Sequence, residues 1–183
     1  MLRISIEKKT LHFKQPAGTS RGVYTERDIL LLTMYDTCSP ENVGVGECAP
    51  LPDLSCDASE NYEKRLREIC NVVEQTGRID GSLLSPYPSM LFGLETAYLN
   101  MKNGRYLFDT PFSHGRCGIP INGLVWMGTA EEMNFRMEEK IKAGFSCVKL
   151  KIGAIDFESE LALVKSIRKR FSKDVIELRV DAN

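Results

Sequence analysis

The 183-residue sequence has no Cys-x-x-Cys pair and only two histidines, His12 and His114. Its six cysteines, Cys38, Cys48, Cys56, Cys70, Cys117 and Cys147, are scattered. A zinc site therefore has no ligand pair to start from. The thiols read mostly as small buried hydrophobes in a reducing compartment. No apolar run approaches the ~20 residues that span a bilayer. The opening "MLRISIEKKTLHFKQ" alternates and carries charges, unlike a signal or transit peptide. An excess of either charge is also missing: Lys+Arg is 24, Asp+Glu is 25 and the net charge is -1. That balance speaks against nucleic acid or an anionic membrane as the main partner. A cytoplasmic protein is the expectation.

What is present suits one good core or two small domains. Apolar content is an ordinary 43%. Residues 2–15 and 22–37 alternate as two long strands joined through the turn-rich "QPAGTSRG", and "NVGVGECAP" closes a three-stranded meander. Asp57 and Glu60 form a capping-box pattern ahead of a helix with apolar Tyr62, Leu66, Ile69, Cys70 and Val73, ending at Gly77. "SPYPSMLFGLETAYLNMKNG" is a second, more apolar helix, with prolines at its start and Gly104 past its end. Residues 1–115 thus read as an α+β domain.

Residues 116–183 read as β-α-β-α-β. "CGIPINGLVWMG" is a strand, Thr129 and Glu132 box the start of a helix running to Gly144, and "FSCVKLKIG" is a strand. Asp156 caps a helix to about Phe171, and "VIELRVDAN" is a strand again. Such spacing suits consecutive right-handed βαβ units.

The two last strands carry the chemistry. Strand alternation puts Val148, Leu150 and Ile152 on one face and Lys149 and Lys151 on the other. In "ELRVDAN" it puts Glu177, Arg179, Asp181 and Asn183 together. Strands buried between helices are normally apolar on both faces. Polar faces on adjacent strands fit a barrel with its active site at the strand C-terminal ends. A solvated lysine face and a structural ion-pair cluster are the two bland alternatives. Two ammoniums about 7 Å apart repel by about 2.4 kcal/mol at an effective dielectric near 20, which favours releasing one proton and yields a general base. Asp181 offers a hard oxygen ligand suited to magnesium.

"VKLKIG" followed by "RVDAN" resembles the K-x-K and D-x-N strand ends of the enolase superfamily, in its muconate-lactonizing-enzyme-like branch. "TSRG" and "GVGECAPLPDLS" resemble the two substrate-covering loops of that family's capping domain. "GECAPLP", "INGLVW" and "VKLKIG" are most similar to o-succinylbenzoate synthases of menaquinone biosynthesis. The resemblance implies a capping domain over residues 1–115 and, from 116, the start of a (β/α)7β barrel. It implies magnesium-dependent removal of a proton α to a carboxylate, with manganese as an alternative ion. The reaction would dehydrate 2-succinyl-6-hydroxy-2,4-cyclohexadiene-1-carboxylate to o-succinylbenzoate. By position, Lys151 is the acid/base, Lys149 its partner and Asp181 the first metal ligand. Asn183 lies near the substrate or the metal's outer shell. Thr19, Ser20 and Arg21 are loop candidates for an anionic substrate. Gly46 and Glu47 are expected to shape the second loop, or a plain turn. Trp126 is expected in the core.

The family's barrel has eight strands, so the sequence reads as the N-terminal portion of an enzyme, and the 183 residues alone are expected to be inactive. Epimerisation of dipeptides or N-acyl amino acids uses the same motifs and stays open. So do a non-catalytic half-barrel and self-association into a homo-oligomer.

Overall fold

The computed structural model describes residues 1–19, 22–153 and 155–182. In chain order these form β1 (Leu2–Thr19), β2 (Gly22–Asp36), β3 (Ser39–Cys48), α1 (Tyr62–Thr76), α2 (Gly81–Leu84) and α3 (Pro88–Asn103). There follow β4 (Gly123–Val125), α4 (Ala130–Lys142), β5 (Cys147–Lys151), α5 (Phe157–Arg170) and β6 (Glu177–Asp181). The first sheet has the order β1-β2-β3 and the second the order β4-β5-β6. This is the expected meander with helices, then the expected β-α-β-α-β. The chain divides into two compact units, Met1–Pro16 with Tyr24–Cys117, and Ala17–Val23 with Gly118–Asn183. Among the described residues no helix is long and apolar enough to cross a membrane.

In the first unit β2 runs antiparallel to β3, with Leu30 opposite Cys48 and Tyr35 opposite Val43. Helix α1 buries Tyr62, Leu66, Ile69, Cys70 and Val73, as their spacing requires. It stops at Gly77, whose left-handed φ of 67° lets its N–H reach the Val73 carbonyl. Leu32, Met34, Leu66, Leu84, Met90 and Leu94 are fully buried between sheet and helices.

Four expectations need correction here. Pro16, Ala17, Gly18 and Thr19, read as a turn-rich loop, are the last residues of β1; β1 is an edge strand, where a proline without an N–H is tolerated. Asp57 does not cap α1, whose N-cap is Asn61 with no side-chain bond. Asp57 lies five positions before the first helical residue and is buried, only 4% exposed. Its carboxylate accepts from Ser89 N (2.9 Å) and Ser89 Oγ (2.5 Å), so it satisfies an open donor of α3 instead. Gly46 is not a loop residue. Gly44, Gly46 and Cys48 form the buried face of β3, and a Cβ on Gly46 would collide with the Gly93 carbonyl and lie 2.9 Å from Ala97 N. A Cβ on Gly44 would lie 2.7 Å from Met101 Cβ. The glycines let the α3 backbone lie directly on β3. Finally, only Cys48 and Cys70 are buried; Cys147 is half-buried, and Cys38, Cys56 and Cys117 are exposed.

In the second unit the sheet is parallel, with Gly123 beside Val148 and Cys147 beside Glu177. Strand β4 is three residues, much shorter than "CGIPINGLVWMG" suggested. Val125, Val148 and Leu150 pack with Met133 and Met137 of α4 and with Leu163 and Ile167 of α5. Thr129 and Glu132 form the expected capping box: Glu132 N donates to Thr129 Oγ1 at 3.3 Å, and Thr129 N donates to Glu132 Oε2 at 2.8 Å. Asp156 caps α5 by accepting from Ser159 N at 2.9 Å. Thr129→Ala should therefore cost about 1 kcal/mol, read as a lower urea midpoint, and Thr129→Ser should restore most of it. An unchanged midpoint in the alanine variant would mean that the box carries no stability.

Candidate active site

Strand β5 separates its residues by parity. Val148 and Leu150 point into the helix-side core, with at most 1% exposed. The side chains of Lys149 and Lys151 occupy the other face, 34% and 20% exposed. The parallel register sets Lys149 beside Arg179 and Lys151 beside Asp181. Ile152 N donates to the Asp181 carbonyl at 2.9 Å and carries the ladder one step past Lys151.

A single carboxylate oxygen bridges the two lysines. Asp181 Oδ2 is 2.7 Å from Lys149 Nζ and 3.9 Å from Lys151 Nζ. The bridging negative charge offsets the repulsion that two neighbouring ammoniums would otherwise feel. Arg179 instead pairs with Glu177 at 2.7 Å, along its own strand. The structure thus brings together Lys149, Lys151 and Asp181. Thr19 is the last residue of β1. Ser20, Arg21 and Asn183 lie outside the described residues.

Trp126 belongs to this face, and Glu160 braces the turn that follows it. Trp126, expected in the core, is half-buried and follows directly after β4. Its ring centroid is 5.0 Å from Lys151 Nζ, and its indole N–H donates to the Gly18 carbonyl at 2.9 Å. The register explains the difference. Val125 lies beside Leu150 and points inward, so the next residue has the parity of Lys151. Counting one residue outward from the buried Val125 of "GLVW" would have found it. Glu160, 7% exposed, reaches from α5 and accepts from Gly153 N at 2.7 Å. That bond anchors the turn after the lysine strand, where Gly153 takes a φ of 92°. No local pattern marks Glu160, because its partner lies in the loop before its own helix.

Asp181 supplies the hard oxygens that magnesium prefers. Among the described residues no group of three His, Cys, Asp or Glu side chains could hold a metal ion. Asp181 would offer such an ion one carboxylate donor.

No family model matches the chain. Over its whole length it is 34% identical to the o-succinylbenzoate synthase of Desulfotalea psychrophila, of which it covers 58%. The crystal structure of MenC from Desulfotalea psychrophila superposes with a TM-score of 0.73 at 28% identity, covering 100% of this chain and 57% of that one. An o-succinylbenzoate synthase from Thermosynechococcus elongatus, solved with magnesium in its active site, gives a TM-score of 0.69 at 24% identity, covering 99% of this chain and 52% of that one. The chain spans somewhat more than half the length of these relatives. Its meander, helices and parallel β/α sheet are shared with these proteins, and along its whole length the chain is similar to the N-terminal part of o-succinylbenzoate synthases.

Proposed function

We propose that the full-length protein is a lyase of the o-succinylbenzoate synthase type, acting on a small cyclohexadiene carboxylate. The observation that carries the reading is the Lys149–Asp181–Lys151 cluster at the strand ends, in a chain 34% identical to such a synthase. Residues 1–115 serve as the capping domain and residues 116–183 as the start of the barrel.

Asp181 contributes one ligand to a magnesium site, and magnesium, when bound, supplies positive charge beside the substrate carboxylate. The remaining work falls to the side chains of the lysine strand. Lys151 lies nearest the strand end and removes the proton α to the carboxylate. It then returns that proton to the departing hydroxyl, so that water leaves and the ring becomes aromatic. Lys149 holds the substrate carboxylate. Thr19, Ser20, Arg21 and Asn183 contact the anionic substrate. A cytoplasmic location fits this chemistry.

The test runs two reactions side by side on the magnesium-loaded full-length protein: dehydration of 2-succinyl-6-hydroxy-2,4-cyclohexadiene-1-carboxylate, and epimerisation of dipeptides and N-acyl amino acids. The larger kcat/KM is expected for dehydration. A larger value for an epimerisation substrate would overturn the assignment.

A further inference from the structure

Trp126 is fixed at both its backbone and its ring. Arg136 of α4 donates from Nη1 to the carbonyls of Trp126 at 3.2 Å and Met127 at 2.9 Å. Arg136 Nη2 lies 3.9 Å from Glu132 Oε1, so the carboxylate that closes the α4 capping box also steadies this arginine. At the other end the indole N–H is engaged by Gly18 at 2.9 Å. The ring presented between these anchors has the Lys151 ammonium 5.0 Å from its centroid. An ammonium is drawn to an indole face by the ring quadrupole. Asp181 attracts the same ammonium from 3.9 Å. Face and carboxylate together restrict where Nζ can sit. An aromatic that merely filled space would need no cation on its face.

We infer that Trp126 is a positioning residue of this site: its ring holds the Lys151 ammonium at the strand end, and its N–H ties the end of β1 to the same point. One side chain thereby sets both the base and the segment leading to Thr19. The kinetic consequence rests on the reading of Lys151 as the base; the contact itself does not.

Trp126 is the sole tryptophan of the sequence, so indole emission in the 183-residue chain reports the contact without turnover. Lys151→Met should change that emission clearly. Lys149→Met should change it much less, because that ammonium is held by Asp181 at 2.7 Å. Equal responses, or none to Lys151→Met, would overturn the contact. In the magnesium-loaded full-length protein, Trp126→Leu should lower kcat on the order of tenfold, the scale of a partly desolvated cation–π contact. Trp126→Phe keeps a ring face and should hold kcat within about threefold. Its KM should rise about fivefold, because the donor to Gly18 is gone. Equal losses of kcat in the two variants, or none in either, would overturn the positioning role. Should Lys151→Ala leave turnover intact, the base assignment fails, and the emission comparison still decides the contact.

Discussion

In the full-length protein Lys151→Ala is expected to lower turnover by at least ~10²–10⁴-fold, the contribution of a positioned general acid/base. Lys151 is the last residue of β5, beside Asp181 in the register, and is less exposed than Lys149. Lys151→Arg should not rescue activity, because a guanidinium keeps its proton at neutral pH and cannot serve as a base. Lys149→Met should lose less, since it removes charge and substrate contact but leaves the proton carrier. Asp181→Asn should weaken magnesium binding and take away the carboxylate that both ammoniums share. The fold should survive that change, because Asp181 is 28% exposed and its backbone bond to Ile152 does not involve the side chain. Steady-state turnover with saturating magnesium, alongside calorimetric titration of the metal, separates these effects. Near-normal turnover in Lys151→Ala would reduce the cluster to a structural charge pair.

The second large effect concerns stability in the other unit. Gly46→Val should destabilise the protein by about 3 kcal/mol, the upper end of ordinary overpacking. The atoms in the way are backbone atoms of α3, at Gly93 and Ala97. No rotamer change clears them, and α3 would have to lift from β3. Gly46→Ala should already show most of the loss, because the first added carbon makes the collision. Gly81→Ala is the control: nothing lies within 4 Å of a Cβ built there, and the midpoint should barely move. With a urea slope of about 1–3 kcal/mol/M, the Gly46 variants should lose about 1–3 M in midpoint. A Gly46→Ala midpoint equal to that of Gly81→Ala would mean that the strand and helix can part without cost.

These two sites also mark what could be read from the sequence. The lysine strand was legible because alternation is a local property and strand period is two. Asp181 was legible because one βαβ unit fixes the distance between equivalent strand ends. The capping residues Thr129 and Asp156 were legible because their partners lie within one helical turn. Asp57 was misread for the same reason reversed. Its pattern with Glu60 is local, but its carboxylate found Ser89, 32 positions away. Gly46 was placed both in the third strand and in a covering loop, because a sequence records the missing side chain and not the helix that uses the space. Trp126 looked like core because large aromatics usually are, while its parity with Lys151 emerges only once β4 and β5 are aligned. Glu160 was invisible: a buried acid is legible only through its donor, and Gly153 donates a backbone N–H.

The thiols of the first unit offer a different handle on this molecule. Burial pushes Cys48, on the β3 face that meets α3, and Cys70, inside α1, up to about 12. Only the thiolate attacks an alkylating reagent, so neither cysteine is modified while its surroundings stay closed. Cys38, Cys56 and Cys117 are exposed and react from the native state. A labelling time course followed by mass spectrometry therefore has two clocks. The fast clock counts surface thiols. The slow one ticks only when the sheet and helices of the α+β unit open, and it measures how often that happens in the absence of any substrate.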